Sequence, residues 1–228
     1  MEIKNLCYKI KDRHILNKIT VNIDKGINLI IGPNGSGKST LLKLIYKIEN
    51  PDCGEITGND KRKISYHAQY SSVFHNVEVD YFLKLNRYLK TGSLNSDKFT
   101  KEIISIFSIK KFLHQSLSSL SGGERQRVML ASVFLLEKEI VLLDEPLSFL
   151  DISSKIEIVK TLEDNFSDKK LIIVTHNFEL FKKVKKYLAL KDGKVFFEGR
   201  EINSDILEKL FEIEGSGYYS KAFGLNLN

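Results

Sequence analysis

Nine consecutive residues, Gly32-Pro33-Asn34-Gly35-Ser36-Gly37-Lys38-Ser39-Thr40, match at every required position the pattern of a loop that cradles phosphates. Glycines at these places let successive backbone N–H groups turn inward around a polyphosphate. Lys38 would add a point charge to the β and γ phosphates, and the Ser39 hydroxyl would ligate Mg²⁺. Further along, Asp144-Glu145-Pro146 supplies two adjacent carboxylates, one suited to Mg²⁺ and its neighbour to orienting or deprotonating an attacking water. Thr175-His176-Asn177 supplies an imidazole able to contact a γ phosphate, and the Gln69 amide oxygen can join a Mg²⁺ shell. A nucleoside triphosphate is the expected ligand.

These groups need a scaffold that brings them to one place, and the hydrophobic pattern provides it. The apolar run Ile27 to Ile31 reads as a buried strand ahead of the glycine loop, and Leu41 to Ile45 reads as the helix behind it, whose positive end would face the same anion. Glu139 to Leu143 and Lys170 to Val174 read as buried parallel strands joined through a helix at Asp151 to Leu162, a βαβ crossover. The carboxylate pair and His176 directly follow these strands, at the carboxyl edge where open α/β sheets take ligands. Upstream, Ile19, Val21 and Ile23 alternate with polar residues as in sheet, and Glu55 to Gln69 reads as short strands broken by Gly58 and Asn59-Asp60. From Val77 the spacing becomes helical, with Val79, Phe82 and Leu83, then Phe99, Ile103, Ile106 and Phe107. Leu188 to Phe197 reads as a hairpin across Asp192-Gly193, followed by an amphipathic helix at Ile206 to Phe211. Leu120-Ser121-Gly122-Gly123-Glu124 opens another helix with a serine and two glycines, a second anion-binding start. One nucleotide would already be cradled by the first loop, so the second start implies a phosphate presented by another subunit.

Bulk properties narrow the setting. The 228 residues suit one α/β body with an insertion, and no apolar run reaches bilayer length. Met1-Glu2-Ile3-Lys4-Asn5 carries no signal-peptide pattern, so a cytoplasmic chain is expected. The net charge of +6 is spread in short groups such as Lys182-Lys183-Val184-Lys185-Lys186, which reads as solvated surface, and nucleic acid is not an expected partner. Cys7 and Cys53 have no companion spacing and are expected to be small apolar groups, with neither a disulfide framework nor a metal site.

Taken together, these motifs resemble the ATP-binding subunit of ABC (ATP-binding cassette) transporters, and the resemblance covers nearly the whole chain. It implies an α/β P-loop NTPase core with a mixed, mainly parallel sheet, an N-terminal antiparallel β part and a helical subdomain inserted at approximately 77–136 in a single domain spanning 1–228. Gly32 to Thr40 is then Walker A, Ile140 to Asp144 Walker B, Glu145 the catalytic carboxylate, Gln69 the glutamine loop and His176 the switch histidine. Leu120 to Glu124 is the signature, Ser148-Phe149-Leu150-Asp151 the D-loop and Tyr8 the adenine-stacking aromatic. Two such chains would face each other head to tail, each ATP held by Walker A of one and Ser121, Gly122 and Gly123 of the other. The cofactors implied are ATP and Mg²⁺. The implied partners are a second cassette, an integral membrane permease at the cytoplasmic face and, indirectly, a substrate-binding protein.

The segment Val77 to Tyr88 and the C-terminal Leu207 to Phe211 are similar to importers of iron siderophores, haem, cobalamin and related metal chelates. Asn86 and Leu89 stand where that subgroup usually has glycine and proline. An exporter cassette and a cassette acting on a soluble macromolecule are the alternatives. The helical segment after Gln69 argues against the first, and a single cassette without sustained heptads against the second.

Overall fold

The chain turns its sequence pattern into two sheets that share one buried layer. The computed structural model describes residues 1–69, 76–95 and 97–212. The strands are β1 (Glu2–Ile10), β2 (Arg13–Asn22), β3 (Gly26–Ile31), β4 (Cys53–Thr57), β5 (Ile64–His67), β6 (Ile140–Asp144), β7 (Lys170–Val174), β8 (Val184–Lys191) and β9 (Lys194–Gly199). The helices are α1 (Lys38–Ile45), α2 (Val79–Thr91), α3 (Lys98–Ile106), α4 (Gly122–Phe134), α5 (Ile152–Asn165) and α6 (Ser204–Phe211). A six-stranded sheet runs β5-β6-β7-β3-β8-β9, parallel except for β9, and a three-stranded antiparallel sheet runs β2-β1-β4.

Alternation along the central strands divides the core. Ile27, Leu29, Val141, Leu143, Leu171 and Ile173 face one way, onto a cluster that includes Phe82 of α2, Phe134 of α4 and Leu162 of α5. Ile30, Leu142, Ile172 and Val174 face the other way, onto Leu41 and Leu44 of α1 and Ile3, Leu6 and Leu16 of the antiparallel sheet. A strand buried on both faces in this manner is what a parallel sheet covered on two sides requires. Asn28 is the polar exception on β3; its amide donates to the Asp24, Gly26 and Leu171 carbonyls and ties the strand's start to β7.

The first hairpin departs from regular alternation. Tyr8 pairs with Leu16 and Lys9 with His14, so Ile15 is the extra residue of a bulge, and Ile10 and Arg13 form the last cross-strand pair before the turn. The bulge turns Ile15 away from the core while Leu16 stays fully buried. The hairpin is pinned above the glycine loop: a Cβ at Gly37 would lie 2.5 Å from Leu16 Cδ2 and 2.9 Å from the Ile15 carbonyl oxygen.

Cys7 and Cys53 correct the sequence expectation. They are cross-strand partners on β1 and β4, with Cα atoms 4.9 Å apart, and they form a disulfide. Cys53 is exposed, not an apolar core group. Residues 46 apart in sequence carry no spacing signal, and only strand pairing reveals their proximity.

His67, at the end of β5, is buried beside α4. The Gln126 amide lies 3.0 Å from its Nε2 and 2.7 Å from the Pro146 carbonyl, donating to both, which requires His67 Nε2 to keep its lone pair. Burial accordingly lowers its pKa from 6.5 to about 4. The unfolded chain binds the extra proton between those values, so stability rises with pH across the window and is lost as pH falls from about 6.5 to about 4. We expect His67 to account for about 3 kcal/mol of that acid loss, by the usual conversion of pKa shift to free energy. Urea midpoints measured across the window should show a shallower acid limb for His67→Gln; an identical limb would assign the loss to other groups.

Candidate active site

The phosphate loop is shaped by positive φ at Gly32, Gly35 and Gly37, of which Gly37 (φ 100°) forms the left-handed N-cap of α1. Gly37 can take no side chain there because β2 lies against it. Lys38 is buried, and its ammonium folds back over the loop to donate to the Gly32 and Pro33 carbonyls at 2.8 and 2.9 Å. Ser36 Oγ lies buried inside the loop with no hydrogen bond among the described residues. Gly32 packs its Cα face on the Leu190 carbonyl of β8.

Across the sheet edge, Ser39 Oγ donates to Asp144 Oδ1 at 2.9 Å, and the Tyr66 hydroxyl lies 3.4 Å from Asp144 Oδ2. This hydroxyl and carboxylate are hard oxygen donors of the kind Mg²⁺ takes, so the residues fit that ion. Glu145 adopts φ 49°, a costly backbone state for a non-glycine residue, and its N–H donates to the Val174 carbonyl at 2.9 Å. That turn brings Glu145 Oε1 to 3.1 Å from His176 Nε2. A cleft of about 300 Å³ joins Asn34, Gly35, Lys38 and Thr40 to Gln69, Glu145 and His176, so the residues predicted from four separate stretches meet in one place.

Burial governs the charges. Desolvation pushes the Glu145 carboxyl up to about 7, against the pull of Lys38 and a backbone hydrogen bond from His176. It raises Asp144 against the hydroxyls of Ser39 and Tyr66, and lowers Lys38 against the attraction of Glu145 and Asp144. His176 is lowered by burial and then by Lys38. A carboxyl poised near neutrality beside an imidazole suits proton handling at physiological pH.

Ser121, Gly122, Gly123, Glu124 and Asp151 do not join this cleft. They line a second one of about 860 Å³ with Phe149 and Arg127. Ser121 caps α4 in a reciprocal box: Glu124 N–H donates to Ser121 Oγ, and the Ser121 N–H and hydroxyl donate to Glu124 Oε2 at 3.0 and 2.8 Å. Asp151 caps α5, and hydrogen bonds from Ser153 and Ser154 hold its carboxyl far below the usual range.

Tyr8 lies on β1, two residues before Ile10. Its ring is half-buried against the core cluster of the antiparallel sheet, where desolvation and then the neighbouring Glu49 raise its pKa, and it is not among the residues lining the cleft. Ile10, Arg13 and Ile15 line it instead. Sequence reading missed all three because the bulge at Ile15 breaks the alternation; the Lys11-Asp12 turn was the available signal for where the hairpin tip falls.

The model of the ABC transporter family matches residues 16–148. The phosphonates import ATP-binding protein PhnC of Fusobacterium nucleatum is 32% identical over 93% of this chain and 98% of its own length. The probable siderophore transport system ATP-binding protein YusV of Bacillus subtilis is 28% identical over 95% of this chain and 87% of its own. Among solved structures, a dimeric ATP-binding cassette in a post-hydrolysis state with ADP and Pi superposes with a TM-score of 0.73, at 25% identity over 89% of this chain and 99% of that one. This chain belongs to the ABC transporter family, as one of its ATP-hydrolysing cassettes. No helix among the described residues is long and apolar enough to cross a membrane.

Lys38→Ala should weaken binding of Mg-ATP by at least about tenfold, the scale of a lost charge-assisted hydrogen bond or more. It should not lower the melting temperature, because the ammonium it removes is partly desolvated. Calorimetric titration and a thermal melt on the same preparation check both halves; unchanged affinity would remove Lys38 from the phosphate site.

Proposed function

We propose that this chain powers an importer by hydrolysing ATP in a head-to-tail pair of cassettes docked on a membrane permease. The observation that carries the reading is the single cleft that gathers Lys38, Ser39 with Asp144, and Glu145 with His176 at one sheet edge. Lys38 and the loop N–H groups hold the β and γ phosphates. Ser39 and Asp144, with Gln69 at the cleft wall, would hold Mg²⁺, which when bound neutralises charge on the phosphate oxygens. Glu145 accepts a proton from the attacking water, and His176 orients Glu145 and meets the γ phosphate. Ser121, Gly122 and Gly123 serve the ATP of the opposite cassette, with the Asp151 turn beside them.

Two exposed apolar surfaces support the assembly. Phe149 (86% exposed), Ile152 (73%) and Ile156 (51%) stand beside the second cleft, as a pairing face would. Tyr81 (56%), Leu85 (44%), Tyr88 (45%) and Leu89 (73%) form one face of α2, at the i, i+4, i+7, i+8 spacing of an amphipathic helix that packs on a partner. We assign that face to the permease. For cargo, the Val77 to Tyr88 segment and the siderophore relative favour a metal chelate. The phosphonate relative supports a second reading, an oxyanion cargo.

Glu145→Gln should keep Mg-ATP affinity within about threefold and lower turnover by two to three orders of magnitude or more, the scale of losing one positioned catalytic group. It should also accumulate an ATP-dependent dimer visible by light scattering. Undiminished steady-state hydrolysis would remove Glu145 from its role. In membranes of the source cell, the tagged chain should co-purify with a polytopic membrane protein, and Leu89→Asp should lose that partner while its ATPase activity in detergent stays near that of the wild type. Recovery of a soluble macromolecular assembly in place of a membrane protein would overturn transport.

A further inference from the structure

We infer that Gln126, on the helix that opens at Ser121, is a positioning residue for hydrolysis: its side chain holds the turn that carries Glu145, and so ties the anion-binding start of α4 to the catalytic carboxylate of the same chain. The inference rests on the reading of Glu145 as the group that activates water. Gln126 Nε2 lies 2.7 Å from the Pro146 carbonyl and 3.0 Å from His67 Nε2. An amide nitrogen carries two hydrogens, and these two acceptors use both. Pro146 is buried directly after Glu145, and His67, 5% exposed, ends β5 two residues before Gln69. Strands β5 and β6 are neighbours, with His67 level with Leu143, so one side chain spans two adjacent strand ends at the edge where the cleft opens.

Glu145 needs such support. A φ of 49° persists in a residue other than glycine where the surroundings over-determine it. The Glu145 N–H is tied back to the Val174 carbonyl, and its own carbonyl accepts from the Ser148 N–H at 3.2 Å. Gln126 fixes the next carbonyl along, and it does so from the helical subdomain. The helix behind that amide is anchored, since Val128, Leu130 and Ala131 are buried in the core. At its start, a Cβ on Gly123 would lie 3.0 Å from Ser154 Oγ, so α4 rests there directly on α5. Three residues of helix, about 4.5 Å of rise, separate Gly123 from Gln126. A shift of α4 on binding an anion at Gly122 and Gly123 therefore reaches Pro146, and Glu145 beside it, through one hydrogen-bonded side chain. An amide that merely satisfied a buried carbonyl would affect stability alone. One that sets Glu145 affects turnover and spares the phosphate cradle, whose lining does not include Gln126.

The test compares the full chain with Gln126→Met, which keeps the side chain's length and removes both donors, in single-turnover hydrolysis and in equilibrium titration with Mg-ATP. Hydrolysis should slow by about ten- to hundredfold, the scale of a misplacement of about 1 Å at a catalytic group, while Mg-ATP affinity stays within about threefold of the wild type. Because Gln126 acts through Glu145, adding Gln126→Met to Glu145→Gln should slow hydrolysis by less than about threefold further. Turnover of Gln126→Met within about threefold of the wild type, a loss of affinity that matches the loss of rate, or full additivity in the double variant would overturn the inference. Gln126→Glu, of the same size and without the paired N–H donors, should show the same split and replaces the methionine variant if that one does not fold; wild-type turnover in Gln126→Glu would overturn the inference equally. Undiminished hydrolysis by Glu145→Gln would overturn the reading of Glu145 and the inference with it, whereas a slow Glu145→Gln beside an unimpaired Gln126→Met would overturn the inference alone.

Discussion

Val174 pairs with Ile30 on one side and with Asp144 on the other, and the site depends on that register. Because β3, β6 and β7 are parallel and in step, the glycine loop, the Asp144-Glu145 pair and the Thr175-His176 pair all leave the sheet at the same edge. The hydrogen bonds from Glu145 N–H to the Val174 carbonyl and from Thr175 N–H to the Ile30 carbonyl continue the ladder past the strand ends. A slip of one residue on β6 would exchange its two buried faces and turn Asp144 away from Ser39. The doubly apolar strands, each facing one core cluster with its odd residues and the other with its even ones, are what hold the register.

That scaffold makes an arrangement of charge that is costly until it is filled. Lys38, Asp144 and Glu145 are all largely buried, and each has its pKa displaced by desolvation toward its neutral form. Attraction of Lys38 to the two carboxylates offsets part of this, while the carboxylates repel each other, and Lys38 also folds onto the Gly32 and Pro33 carbonyls. A triphosphate with a divalent cation would supply what each lacks: negative charge for the ammonium, positive charge for the carboxylates. Binding energy at such a site comes from groups already in place, as preorganised electrostatic catalysis requires.

The sequence carried most of this. Strong apolar runs located β3, β6 and β7, and residues close behind those runs, namely Lys38, Ser39, Asp144, Glu145 and His176, could be expected to gather because a parallel sheet delivers strand ends to a common edge. Legibility failed where position depends on pairing between distant segments or on an irregular backbone. Cys7 and Cys53 meet only through the β1–β4 register. Ile10, Arg13 and Ile15 reach the cleft wall around an irregular hairpin, and α4 conceals a buried histidine, His67, that ordinary strand alternation presents as one more polar residue.

On the proposed pairing, the second cleft explains why one chain would be insufficient. At the start of α4 the box between Ser121 and Glu124 serves its own two N–H groups and leaves those of Gly122 and Gly123, between them, to another acceptor. A carboxylate already lies against Ser121, so an arriving phosphate must either displace Glu124 or settle on the glycine N–H groups beside it. The chain's own phosphate loop lies in a different cleft that shares none of these residues. In the pairing proposed above, a second molecule would bring its phosphate to Gly122 and Gly123, and the exposed Phe149, Ile152 and Ile156 beside them would give that molecule apolar surface to cover. On that proposal nucleotide and pairing face would become one interface, in which the charge of the ligand completes each chain's anion site and its hydrolysis removes the bridge.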